Sequence, residues 1–183
     1  MTSLKGQLLI ASPKLLDPNF AQTVVLMVQH DESGAMGLIL NRALDTSIKD
    51  AWEQVSEAPC EIDAPIHQGG PVEGPLMLVH NNPAFPDLEI MPGVFFTTER
   101  ENVEGLVSHH TGPVKFFVNY AGWRPGQLEG EIEQGGWYTA PATEGQVFTD
   151  ADDLWLKLCR HVTTPAVYQN LNPKVIPPDP SMN

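Results

Sequence analysis

The sequence predicts a single α+β domain, and three observations carry that expectation. Runs such as 23–30 and 35–41 are apolar on nearly every residue, as in strands covered on both faces. Other segments repeat apolar residues at i, i+3, i+4 and i+7, the mark of helices with one buried face. The two kinds follow one another without the strict strand–helix–strand alternation of a doubly wound parallel sheet. The chain has 183 residues and is 42% hydrophobic, enough for one sizeable core. The domain is expected over 1–162, with a Pro-rich C-terminal tail over 163–183.

The elements follow in order. GQLLIA (6–11) is a short strand ending before Pro13. TVVLMVQH (23–30) and AMGLILN (35–41) flank a DESG turn and form a hairpin. Ile48, Ala51, Trp52 and Val55 fall on one helical face. PIHQ (65–68) is a short strand, Gly69-Gly70-Pro71 a turn, and PLMLVHN (75–81) a buried strand. VFFTT (94–98) feeds a helix, with Thr98 and Glu101 at capping-box spacing. VKFFVNYAGW (114–123) is a strand, Leu128 and Ile132 mark a short acidic helix, and WYTAP (137–141) is a strand. The last helix spans 150–162, with Asp150, Asp152 and Asp153 at its positive end. Five prolines between Pro165 and Pro180 then exclude helix and central strand, so the tail should run over the surface.

The formal net charge is −13, and the acids are spread through the chain. Such a field repels phosphate backbones, so direct nucleic-acid binding is not expected. No run approaches the roughly 20 apolar residues of a membrane span, and the N-terminus lacks the form of a secretory signal. The two cysteines, Cys60 and Cys159, make no CxxC pair. A cytoplasmic protein, monomeric or weakly dimeric, is expected.

No residue pattern announces catalysis. His30, His67 and His80 lie at strand ends and would make a metal site only if the fold gathered them. No HxxxH or HExxH spacing occurs, so no metal or cofactor is expected. His109, His110 and His161 are placed near helix C-termini, where a positive charge is favoured. Cys60 sits among Glu57, Glu61 and Asp63, which disfavour a thiolate, and Cys159 falls on an apolar helix face. Gly69 and Gly70 read as a phosphate cradle or as a tight turn. The following Pro75 and strand favour the turn. The run Asn119–Gln127, rich in aromatic and amide groups, reads as a pocket wall or as a chain corner.

Three stretches, taken together, resemble the AlgH family, also called YqgE-like. They are GQLLIASPKLLDPNFAQTVVLMVQHDESGAMGLILNR (6–42), GGP (69–71) with a strand ending in His80, and YAGWRPGQLEGEI (120–132) followed by Trp137, Ala140-Pro141 and Phe148. The resemblance implies an α+β fold whose strands curl into a barrel-like sheet flanked by helices. It supplies no catalytic residues, and members carry the label of transcriptional regulators. Matched polar or backbone-special positions are Asn41, Arg42, Gly69, Gly70, His80, Tyr120, Trp123 and Gln127, the expected pocket. Ala43 stands where the family usually has Pro, and Asn119 where Gly commonly precedes the Tyr. The leading expectation is a non-enzymatic binding or regulatory module holding a protein segment or small ligand. The alternatives are a hydrolase or transferase with His80 or His67 as general base, and direct DNA contact, which the net charge opposes.

Overall fold

The computed structural model describes residues 2–109 and 111–170, with side chains as far as Thr164. Among these residues, ten strands form one curled, mostly antiparallel sheet, a half-barrel, and five helices flank it. β1 (Gln7–Ala11), β2 (Val24–Asp31) and β3 (Gly34–Ile39) make an antiparallel meander, with β10 (Trp137–Pro141) on the far edge of β1. β9 (Val114–Trp123) joins this meander to β6 (Val72–His80), β8 (Val94–Thr97) and β7 (Leu88–Met91). β5 (Pro65–Gln68) runs parallel to β9 and carries β4 (Ala43–Ser47) on its other edge.

Period-two alternation sorts each strand between different cores. Leu8, Ile10, Leu26, Leu38, Val79 and Phe117 point into one cluster, which also takes Ile90 and Phe96 from the opposite end of the sheet. That cluster is therefore the inside of the curl. Leu9, Val25, Met27 and Ile39 point outward to meet Trp123, Leu128 and Trp137. Ile66, Leu78 and Phe116 point outward at the other end, beneath Trp52, Val103 and Leu106. Both faces are buried, which explains runs without polar alternation. α5 (Leu154–Asn170) and α4 (Glu144–Phe148) close the inner core through Leu154, Leu158, Cys159 and Val147. α3 (Gln127–Glu133) covers the outer face at one end, while α1 (Ile48–Val55) and α2 (Arg100–Ser108) cover it at the other.

β9 is the spine. β5 pairs with Phe116, Phe117 and Val118 on one edge, and β6 pairs with the same residues on the other. The connection Gly69-Gly70-Pro71 must therefore step over β9. A Cβ on Gly69 would overlap the Asn119 carbonyl, and one on Gly70 would overlap the Tyr120–Ala121 peptide. The glycines let two backbones cross in contact. β9 itself bends here, with Asn119 at φ +62° and its Oδ1 accepting from the Gly74 amide at 3.2 Å. A left-handed residue is required, and Asn tolerates that conformation where most side chains do not.

Several local expectations need correction. Thr98 and Glu101 form no capping box. The amides of Thr98 and Glu99 both donate to Asp87 Oδ2, at 2.6 and 2.8 Å, so a distant carboxylate holds the start of α2. The capping box that does form pairs Thr143 with Gln146 at α4. β4, β7 and α4 were not anticipated, since each is only four or five residues long, too short for a periodic signal. α5 begins at Leu154, after the three aspartates, and continues to Asn170 through Pro165. The expected end at 162 is thus displaced. A proline leaves the carbonyl four residues earlier without its amide donor. Thr163 and Thr164 hydroxyls donate to the carbonyls of Cys159 and Arg160 just upstream. The rest of the expected tail, 171–183, lies outside the described residues, as does His110. His161 lies within α5, and His109 caps α2.

Candidate functional site

The eight expected pocket residues do not share one cavity. Most of them hold backbone in place. Asn41 Oδ1 accepts from the Val24 amide and its Nδ2 donates to the Gln22 carbonyl, both at 2.9 Å. Arg42 donates to the carbonyls of Asn19 (2.6 Å), Pro18 (3.0 Å) and Ala21 (3.4 Å). These carbonyls belong to the turn over residues 17–21, which Arg42 fastens to the chain just after β3. The turn presents Phe20 to two indoles, stacked on Trp123 at 5.8 Å and edge-on to Trp137 at 5.5 Å. Both indole Nε1 groups donate to Glu131 Oε2, at 3.0 and 2.8 Å, and Gln127 Nε2 donates to Glu131 Oε1 at 3.0 Å. Three separated motifs thus close a single latch in which two indoles and an amide converge on Glu131. Tyr120 lies against Gly74 and Gly122, beside the step over β9.

His80 is also saturated. Thr97 Oγ1 spends its proton on the Phe85 carbonyl at 2.6 Å, so it accepts from His80 Nε2 at 2.9 Å. His80 Nδ1 then accepts from the Asn82 amide at 3.2 Å. Burial holds this ring below the ordinary imidazole pKa, against the pull of Asp87 and local backbone. His30 is similar. Its Nδ1 accepts from the Leu4 amide at 2.9 Å, and its Nε2 faces Glu129 Oε1 at 2.9 Å. His30, His67 and His80 each keep separate company, and no group of three metal-ligating side chains occurs among the described residues. Both cysteines are free and buried.

One unsaturated side chain, His67, lies inside the curl beside a buried lysine. His67 and Lys115 project with Phe117 from the inner face of β5 and β9, and both are buried, 3% and 4% exposed. Lys115 Nζ donates to the Thr149 carbonyl at 2.6 Å and the Leu40 carbonyl at 3.4 Å, and lies 3.3 Å from Asp150 Oδ1. Burial lowers its pKa from the ordinary lysine value, opposed by Asp150. The same Asp150 oxygen stands 3.8 Å from His67 Nε2, beyond hydrogen-bond range, and His67 Nδ1 has no partner. Burial, then the Lys115 charge, hold His67 below the ordinary imidazole value. Asp150 and the carbonyls of Phe116 and Pro65 pull the other way.

His67 borders a recess of about 120 Å³ walled by Leu40, Asn41, Pro65, Thr149, Asp150 and Asp152. A wider cleft of about 580 Å³ shares Asn41 and Asp152 with it and adds Gln22, Arg42, Asp153, Trp155 and Leu156. The fold therefore brings Asn41 and Arg42 beside His67. It sends His80, Trp123 and Gln127 elsewhere. Lys115 and Asp150 were not among the expected site residues. The available signal was a lone lysine inside VKFFV, a polar interruption in an otherwise buried strand.

No helix among the described residues is long and apolar enough to cross a membrane. A family model described as DUF179, AlgH-like, matches residues 8–166. A UPF0301 protein of Chlorobaculum tepidum is 42% identical over 164 residues, covering 85% of this chain and 84% of its own. A UPF0301 protein of Hahella chejuensis is 36% identical over 157 residues, covering 83% and 84%. Among solved structures, the solution structure of the AlgH protein from Pseudomonas aeruginosa superposes with a TM-score of 0.69 at 32% identity, covering 93% of this chain and 91% of that one. A crystal structure of a Corynebacterium diphtheriae protein gives the same TM-score at 23% identity and 88% coverage of each, a likeness of fold alone. The family match spans the latch, the step over β9 and the recess together, and the chain belongs to the AlgH-like family.

Proposed function

We propose that this chain is a non-enzymatic binding module whose ligand is a small polar molecule held at His67. The observation that carries the reading is the free hydrogen-bonding capacity of a buried imidazole on a cavity wall. Buried polar atoms are nearly always paired, and the other polar signature side chains, Asn41, Arg42, His80, Trp123 and Gln127, are. A neutral imidazole offers one donor and one acceptor. The aspartates at the mouth favour hydroxyl or amine groups over anions. Asn41 and Arg42 shape the cleft without contributing their own polar atoms, which the backbone already uses. A regulatory role would then run through ligand occupancy and a protein partner rather than through DNA, given the acidic charge. A cytoplasmic setting belongs to the same reading, supported by two free, buried thiols.

The test is nuclear magnetic resonance of the His67 ring and the Asn41 and Asp152 amides, against a panel of small amines and polyols. One panel member should move these signals saturably, and His67→Gln should abolish the response. A panel that moves only signals elsewhere, or none, sinks the proposal. A second reading rests on the same pair. An imidazole held neutral beside a carboxylate can serve as a general base, so His67 with Asp150 would suit a hydrolase or transferase. Turnover of a broad ester and phosphoester panel, lost in His67→Gln, would favour that reading over the first.

A further inference from the structure

His30, near the end of β2, stands on the opposite face of the sheet from the one strict alternation would give it. Alternation would turn it inward with Leu26 and Val28. The pairing of β2 with β3 slips by one residue between Met27 and Gln29. A bulge of this kind re-aims the side chains beyond it. His30 therefore faces outward, where α3 covers the sheet, and its Nε2 meets Glu129 Oε1 at 2.9 Å. The imidazole is 2% exposed, against 34% for the Glu129 side chain. The same residue holds the chain ahead of β1. The Leu4 amide donates to His30 Nδ1 at 2.9 Å, and Ser3 Oγ donates to the His30 carbonyl at 2.8 Å. Apart from the local bond of the Gln7 amide to the Leu4 carbonyl, no other hydrogen bond among the described residues ties 2–5 to the domain. Gly6 follows at φ +74°, pinned by the Met27 carbonyl on one side and the Ala142 amide on the other. Residues 2–5 are thus a strap with a fixed pivot at Gly6 and one clasp, His30. Leu4 is its apolar contact, packed on the outer core.

An imidazole that accepts at Nδ1 carries its single proton on Nε2, so the neutral ring accepts from Leu4 and donates to Glu129 at once. The imidazolium carries a proton on both nitrogens and accepts at neither. Its Nδ1–H would face the Leu4 N–H across 2.9 Å, donor against donor. The bond to Glu129 would strengthen, as one between full charges. The charged groups that bear on the ring are Glu129 from α3 and Asp31 next along β2, both acidic. Both favour uptake of the proton, and only the Leu4 bond opposes it. Imidazole is the side chain that ordinarily changes charge between about pH 5 and pH 8. We infer that His30 is an acid-sensitive clasp: one proton taken up at Nδ1 breaks the Leu4 bond and frees residues 2–5 to swing about Gly6. α3 stays attached through Nε2, and the outer core loses the cover of Leu4. The inference does not involve the His67 recess, which faces the inside of the curl.

The test follows the isotope-labelled full chain by nuclear magnetic resonance from about pH 8 to about pH 5. It reads the His30 ring nitrogens, the Leu4 amide, and the protection of that amide from hydrogen exchange, corrected for intrinsic exchange chemistry. At high pH the ring should show the Nε2–H tautomer. On acidification the Leu4 amide should move with the ring in one transition, and its protection should fall about tenfold, as for loss of a hydrogen bond. The Phe117 amide, in the middle of β9, should stay protected and so report an intact domain. His30→Gln keeps an acceptor but cannot titrate, and should remove the response. Glu129→Gln should move the transition to lower pH by roughly half a unit, since it removes a charge that favours the imidazolium. A Leu4 amide that stays protected while His30 titrates overturns the inference. So does a ring that stays neutral until Phe117 loses protection, a response that survives His30→Gln, or a transition unmoved by Glu129→Gln.

Discussion

The latch around Glu131 and the recess around His67 are built from similar material, aromatic rings, amides and carboxylates, and they differ in saturation. At the latch, two indoles and an amide converge on one carboxylate, and both indole donors are satisfied. At the recess, Asp150 meets Lys115 but stops short of His67, and the imidazole Nδ1 has no partner. A saturated network rigidifies, whereas an unsaturated one costs stability and is retained where something else completes it. Signature residues of this family accordingly divide into those that hold the chain together and those that border a vacancy in its hydrogen bonding.

The sharpest break of that comparison is at the step over β9. Gly70→Ala places a methyl group inside the Tyr120–Ala121 peptide, which two paired strands hold in place. Loss of more than about 4 kcal/mol is expected, enough to abolish cooperative urea unfolding. Folded Gly70→Ala protein with a near-normal midpoint would show that β9 can give way. Next comes Glu131→Ala, which strips the acceptor from both indoles. A loss of about 2–4 kcal/mol is expected by urea denaturation, with Glu131→Gln retaining part of it. A value near zero would mean that water replaces the carboxylate and the latch is packing alone.

Lys115→Met should cost less, about 1–3 kcal/mol, because it removes a buried charge along with its bonds to Thr149 and Leu40. If Lys115→Met stabilises the chain, the ammonium is kept for a purpose other than folding. The pH dependence sharpens the contrast further. His67 and His80 both have folded pKa values below their unfolded value of 6.5. Their contribution is complete above pH 6.5 and is lost as pH falls toward the folded values, because the unfolded chain then binds more protons. The urea midpoint should therefore decline between pH 7.5 and pH 5.5, less steeply in His67→Gln. An identical slope in that variant would mean that His67 is not held neutral. The smallest effect is expected from Leu16→Ser, beside the Asp17 turn but 83% exposed, at within about 0.5 kcal/mol by the same denaturation.

The sequence by itself determined the class of fold and most of its parts. Strands such as 24–31, and the helix over 48–55, could be read because burial on both faces and burial on one face leave different periods in the residues. It also singled out the residues that matter to the latch, Asn41, Arg42, Trp123 and Gln127, without saying what they do. Asn41 and Arg42 bind backbone groups about twenty residues away, which no spacing encodes. Gln127 meets Glu131 at i,i+4 on α3, but that spacing does not say that both indoles share the same carboxylate. Only the tertiary structure decided that Gly69 and Gly70 step over a strand rather than cradle a ligand, since the opposing backbone arrives from Asn119 and Tyr120. Only the tertiary structure placed Lys115, Asp150 and His67 at one recess. They come from a strand, a turn and another strand, brought together by parallel pairing of β5 with β9 and by closure of α5 over the curl. A side chain's role depends on what faces it, and in a curled sheet the facing groups are set by register and closure, which local sequence does not record.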